Sequence, residues 1–261
     1  MSLIWLKDLR LNAEISGPEG APQVVLIHAL GTDLTLWDHT VAALPGHRIL
    51  RFDLRGHGRS DVPAPPYAMG ALLRDAEMLI DQFASRDAVV VGVSLGGLIA
   101  QGLATKRLDQ VRALVLSNTA ARIGNPDLWA RRSAEVSSGG LAAYAPGALE
   151  RILGRGWQDH PQREKVLGML LATPVQGWLG CAAAIAGADF YATTAALTLP
   201  SLVIAGARDG TTPPDLVRET AELIRGHSFA LMRGAGHLPM LDSAAEFAAH
   251  LRGFLAGIGH L

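Results

Sequence analysis

The chain has 261 residues, 49% of them apolar and 18% charged, with a net charge of −1 and a pI near 6.8. That balance excludes a disordered polypeptide, and the absence of any long basic block argues against nucleic acid or an anionic membrane as partner. The single cysteine, Cys181, cannot close an intrachain disulfide, and Lys7, Asp8 and Arg10 stand where a signal peptide needs its apolar core, so a cytoplasmic protein is expected.

In chain order, Leu3 to Ile15 reads as a short antiparallel pair, and Val24 to Ile27 and Ile49 to Phe52 read as buried strands. Met69 to Phe83 has helical spacing through Leu72, Leu73, Met78, Leu79 and Phe83, and the run Ala88 to Val93 is the next strand. A helix from Leu95 to Ala104 and a strand from Val111 to Leu116 follow. Leu202 to Ala205 is a strand, Leu216 to Ile224 a helix, Phe229 to Met232 a strand and Phe247 to Ile258 a closing helix. Strands separated by helices of this length imply an α/β fold with a mostly parallel sheet covered on both faces.

One interval breaks the alternation. Between Ala121 and Thr198 the patterns are helical: Trp129 to Val136, Leu149 to Leu153, Val166 to Leu171 and Trp178 to Ala186. This is far longer than the ~10–12 residues that a crossover requires. It predicts an all-helical cap, residues 121–198, inserted between two parts of one core, residues 1–120 and 199–261.

Chemistry is written at the strand ends, where the cleft of such a sheet lies. Gly92-Val93-Ser94-Leu95-Gly96 joins a strand to a helix, the setting of a nucleophile elbow. An ordinary Gly/Ser turn is the competing reading, and the flanking strand and helix favour the catalytic one. Ser94 needs a base, and among nine histidines His237, in the small-residue loop Gly234-Ala235-Gly236-His237, alone combines a strand end with a place after the serine. Asp209, beyond the strand Leu202 to Ala205, suits the orienting carboxylate, whereas the earlier alternative position reads Ser117-Asn118-Thr119 and has no acid. Backbone N–H groups of Leu95 and Leu30 are the expected oxyanion donors. The segment Asp53-Leu54-Arg55-Gly56-His57-Gly58-Arg59-Ser60 lacks phosphate-loop spacing, and a structural role is expected for Asp53 and Arg55. No Cys/His/Asp/Glu cluster has metal spacing, so neither metal nor cofactor is expected.

Taken together, HALG (from His28), DLRGHGRS, GVSLGG, GARD and GAGH resemble the α/β-hydrolase superfamily over nearly the whole chain. HALGTDLTLWD (His28 to Asp38) and LSNTAARIGNPDLW (Leu116 to Trp129) look more specifically like the 3-oxoadipate enol-lactonases of the β-ketoadipate pathway of aromatic degradation. The resemblance implies the α/β-hydrolase fold: an eight-stranded sheet flanked by helices and topped by a helical cap. It implies Ser94 as nucleophile, His237 as base, Asp209 as acid, and Leu30 and Leu95 as oxyanion donors. Its implied substrate is a small enol-lactone bearing a carboxymethyl arm. A cation should meet that carboxylate: Arg131 or Arg132 is expected to do so, with Arg122 nearby and Trp129, Trp157 or Trp178 walling the pocket. Ala29 and Leu238 to Ser243 depart from common hydrolase patterns. A carboxylesterase or carbon–carbon bond hydrolase with the same triad, and a hydrolase-fold small-molecule receptor, are the competing functions. The sequence leaves the oligomeric state open.

Overall fold

A computed structural model describes residues 2–83 and 87–261. The elements in order are β1 (Ser2–Trp5), β2 (Arg10–Ser16), β3 (Gln23–Ile27), α1 (Asp38–Ala42), β4 (Arg48–Phe52), α2 (Met69–Phe83), β5 (Ala88–Val93), α3 (Leu95–Lys106) and β6 (Val111–Ser117). Four helices follow without a strand: α4 (Pro126–Leu153), α5 (Arg163–Ala172), α6 (Val175–Ala186) and α7 (Tyr191–Ala195). The chain then returns to β7 (Ser201–Gly206), α8 (Pro214–Leu223), β8 (Ser228–Met232), α9 (Pro239–Asp242) and α10 (Ala244–Gly257).

The eight strands form one sheet in the order β1-β2-β4-β3-β5-β6-β7-β8. The β1–β2 and β2–β4 pairs are antiparallel, and every later pair is parallel. Winding proceeds outward from β3 to β4 and then reverses to β5, so the loops leaving β3 and β5 diverge at a topological switch point. Register makes these ends neighbours, since Ile27 pairs with Gly92. Leu30 and Ser94 therefore follow adjacent strand ends.

Alternation along the central strands divides the core in two. Val25, Ile27, Val90, Leu114 and Val203 pack with Leu72 and Leu79 of α2, Leu98 of α3 and Val217 of α8. Val24, Leu26, Val89, Val91, Val115 and Ile204 pack with Trp37 and with Phe247 and Leu251 of α10. The first of these clusters continues into Trp129, Tyr144 and Trp178 of the helical segment, which is thus seated on the core by buried aromatic surface.

α4 is two helical arms meeting at a kink. The helices expected at Trp129–Val136 and Leu149–Leu153 lie one in each arm and are longer than expected; the first arm is capped by the Asn125 side chain on the Leu128 N–H at 2.9 Å and opened by Pro126. Gly140, with φ 69° and ψ 179°, interrupts its helical backbone. Gly139-Gly140 and Pro146 read locally as breakers, yet packing of Val136, Leu141, Tyr144 and Leu149 carries the helix to both sides of them. No single helix among the described residues is long and apolar enough to cross a membrane.

Candidate active site

Ser94 lies between β5 and α3 with φ 56° and ψ −117°, a strained conformation for a residue with a side chain. Its N–H donates to the Ser117 carbonyl (3.1 Å), and its carbonyl accepts from Thr119 Oγ1 (2.7 Å) and starts α3. Close approach makes the flanking glycines necessary: a Cβ on Gly92 would lie 2.2 Å from the Gly96 carbonyl oxygen, and one on Gly96 2.1 Å from that of Ile27. Although Ser94 occupies the N-cap position, its hydroxyl makes no capping bond. It faces the cavity instead.

His237 and Asp209 meet from loops after β8 and β7. The His237 Nδ1–Asp209 Oδ2 separation is 2.8 Å, with both side chains buried. Nδ1–H donates there, so Nε2 is the nitrogen left as proton acceptor. Asp209 Oδ2 also accepts from Asn118 Nδ2 (2.8 Å) and Thr212 Oγ1 (2.7 Å), and Oδ1 from the N–H groups of Thr211 (2.7 Å) and Thr212 (3.0 Å). Burial alone would raise the Asp209 carboxyl. The His237 charge and hydrogen bond, with those of Asn118 and Thr212, outweigh it and hold the carboxyl below its ordinary value. Ser94 and His237 line the same cavity, though no direct hydrogen bond joins them; such contacts commonly tighten only when substrate binds.

Asn118 was visible in the sequence only as a missing acid. In the fold it occupies that alternative position and, at φ 45°, turns its amide onto Asp209 and the Gly236 carbonyl (3.1 Å). The end of α4 is a second support outside the sequence reading. Its Arg151 carbonyl accepts from Gly210 N–H (2.9 Å) and its Ile152 carbonyl from His237 N–H (2.7 Å), so helix-terminal carbonyls hold both the Asp209 and the His237 loops.

Among the described residues, neither the Leu30 nor the Leu95 N–H has a protein acceptor. Gly31 N–H is instead taken by His57 Nε2 (3.0 Å). His28 works alike: Nε2 accepts from Leu54 N–H (2.9 Å) and Nδ1–H donates to the Ala29 carbonyl (2.8 Å). Burial lowers the pKa of His28 to about 4 and that of His57 to about 3, so both are neutral struts shaping the Leu30 loop. The Asp53 loop is structural, as expected. Asp53 accepts from Asn12, Leu34 and Arg59, and Arg55 makes a two-point pair with Asp75 at 2.6 and 2.7 Å.

A narrow cavity of about 40 Å³ covers these groups. Leu30, Ser94, Thr211 and His237 form its floor; Trp129, Arg132, Tyr144 and Arg151 of α4, Leu170 of α5 and Trp178 of α6 complete it. Arg132 lies 5.0 Å over Trp129, within the range of a cation–π contact. Its partner in the sequence expectation, Arg131, is exposed and outside the cavity. Arg122 faces Asp189 at 3.7 Å, and Trp157 packs beneath Arg163; neither lines the cavity. A wider depression between β7 and α10, lined by Pro200, Gly226, His250 and Phe254, lies apart from Ser94, Asp209 and His237.

Residues 24–250 match the model of the α/β-hydrolase family, and the chain belongs to that family. It is 30% identical over 251 residues to 3-oxoadipate enol-lactonase 1 of Acinetobacter baylyi, covering 95% of this chain and 94% of the relative. The crystal structure of an enol-lactonase from Burkholderia xenovorans LB400 superposes with a TM-score of 0.93 at 31% identity, over 98% of this chain and 100% of that one. A pimeloyl-[acyl-carrier protein] methyl ester esterase of Neisseria meningitidis is 29% identical over 262 residues, 93% of this chain and 97% of the relative. The chain is thus a hydrolase of the α/β class, related to proteins that act on lactones and on esters.

Proposed function

We propose that the chain is a cytoplasmic serine hydrolase that opens 3-oxoadipate enol-lactone to 3-oxoadipate in aromatic-compound degradation. Residues 121–198 act as its cap. The observation that carries this reading is Arg132: a cation largely withdrawn from water, without an ion-pair partner among the described residues, in the cavity that also holds Ser94 and His237. Burying an unpaired guanidinium costs free energy that an anionic substrate returns and a neutral ester does not. The enol-lactonase relatives support the same substrate.

In this mechanism Ser94 Oγ attacks the lactone carbonyl while His237 Nε2 accepts its proton. Asp209 fixes the tautomer and stabilises the imidazolium. Leu30 and Leu95 N–H groups receive the oxyanion, each lowering the barrier by about 3–4 kcal/mol. Collapse breaks the ring C–O bond, and His237 returns its proton to the departing enol oxygen. The enol tautomerises to a ketone, which opposes reclosure. Water, deprotonated by His237, then frees the acid from Ser94. Arg132, stacked on Trp129, holds the carboxymethyl carboxylate throughout.

Loss of enol-lactone absorbance measures the reaction directly. Wild-type protein should turn the lactone over, and Ser94→Ala should lower kcat by about 10,000-fold or more. The second reading, a carboxylesterase with the same triad, draws on the methyl ester esterase relative. Rapid turnover of neutral esters with none of the enol-lactone would establish it instead.

A further inference from the structure

Arg132 is not the cavity's only cation. Arg151 also lines it, 5.2 Å over the Tyr144 ring, and its Nη2 is buried with no hydrogen-bond partner. Tyr144 meets Trp178 edge-on at 5.0 Å, and Trp178 lies 6.4 Å from Trp129, which carries Arg132. One aromatic wall thus runs across the cavity with a guanidinium at each end. Among the described residues neither guanidinium makes an ion pair.

Their meeting depends on Gly140. The two arginines are 19 positions apart on α4, which a straight helix would translate into about 28 Å. The break between them returns the second half toward the same space. Burial, followed by repulsion from Arg151, depresses the Arg132 pKa, a cost that one ligand carrying two negative groups would relieve at both ends. Arg151 also sits where α4 joins the Asp209 and His237 loops, since its own carbonyl binds Gly210.

We infer that the cavity is a two-cation site for short dicarboxylates, in which Arg132 takes the remote carboxylate and Arg151 the carboxylate produced at Ser94. This rests on the hydrolase reading of the cavity and adds Arg151 as a second anion-binding residue, the one that answers to the product. Hydrolysing a lactone that already bears one carboxylate yields a dicarboxylate, so the product engages both arginines where the substrate engages one. Product should therefore bind more tightly than substrate and inhibit competitively.

Titration calorimetry with adipate and with hexanoate, equal in carbon number and unequal in charge, tests the inference without any turnover. Wild-type protein should bind adipate about tenfold or more tightly than hexanoate. Arg151→Met should erase that preference, Arg151→Lys should retain part of it, and added salt should weaken adipate more than hexanoate. Equal affinities in the wild type, or a preference surviving in Arg151→Met, overturn the two-cation site. So does loss of both acids in Arg151→Lys, whose retained charge should keep the dicarboxylate bound. Absence of enol-lactone turnover would instead remove the substrate assignment and leave the adipate preference standing.

Discussion

The floor and the roof of the cavity are built on opposite principles. Ser94, Asp209 and Leu30 follow strands held by neighbours on both sides, and His237 follows the edge strand β8. The Asp209 carboxylate there accepts from five donors, and the loops that carry these groups are hydrogen-bonded to neighbouring elements. Arg132 and Arg151 belong to one helix broken by a glycine, and their guanidiniums rest on aromatic faces with no counter-ion among the described residues. A braced floor holds its groups in fixed geometry, while an unsaturated roof leaves its charges for a ligand to satisfy. Changes in the first should strike turnover, and changes in the second should strike discrimination among substrates.

The sharpest separation comes from Asp209→Asn against Arg132→Met. Asparagine keeps the volume but can present its amide to His237 Nδ1 and fix the wrong tautomer, so kcat should fall about 10,000-fold with little change in KM. Steady-state kinetics on the enol-lactone check it; a fall below tenfold would remove Asp209 from the mechanism.

Acid should attack the floor next. His28 and His57 are buried neutral, with pKa values lowered by burial to about 4 and about 3 against an ordinary 6.5. Between those limits the unfolded chain binds more protons, so their stabilisation is complete above 6.5 and declines as pH falls toward the folded-state values. From pH 6.5 to 4.5 the two together should cost roughly 4 kcal/mol, or about 10 °C in Tm. His57→Gln retains an acceptor for Gly31 and a donor for Arg55 but does not titrate, and should reduce that acid loss by about half. Thermal melts across this range decide it, and an unchanged pH slope in the variant would show that other groups carry the effect.

The same contrast explains what could be read before the structure. The floor was legible because its signals are local: a glycine pair around a serine, an apolar run before each polar loop, and a fixed chain order. The supports of those residues were not, since Asn118 reaches Asp209 across 91 positions and His57 takes Gly31 across 26. The roof was legible as helical pattern and as candidate side chains, but not as geometry. Arg131 and Arg132 are adjacent, so they point about 100° apart on a helix, and local sequence does not say which one faces inward. Arg151 had no local signal at all, because it shares a cavity with Arg132 only through the break at Gly140.

Arg132→Met tests the roof at its most direct point. Methionine keeps an apolar stem against Trp129 while removing the charge, so KM for the anionic lactone should rise about 10–100-fold, the worth of one charge-assisted pair. The corresponding ratio for a neutral ester should move far less. Equal losses on both substrates would mean that Arg132 supports the cavity without selecting charge.

Gly140 sharpens the comparison with the smallest effect. A Cβ there meets nothing within 4 Å, so crowding is absent and only the backbone objects. At φ 69° and ψ 179° it occupies a region essentially restricted to glycine, so Gly140→Ala should cost about 1–3 kcal/mol. Gly253 in α10 is an exposed control with equally open surroundings and no positive φ. There the same methyl group should be neutral or stabilising by up to about 1 kcal/mol. If the two substitutions shift Tm oppositely, and only Gly140→Ala lowers the preference for the anionic lactone over a neutral ester, the break in α4 is what sets the two arginines over the serine. Equal shifts with unchanged selectivity would make that break incidental, and the roof would then owe its specificity to its side chains alone.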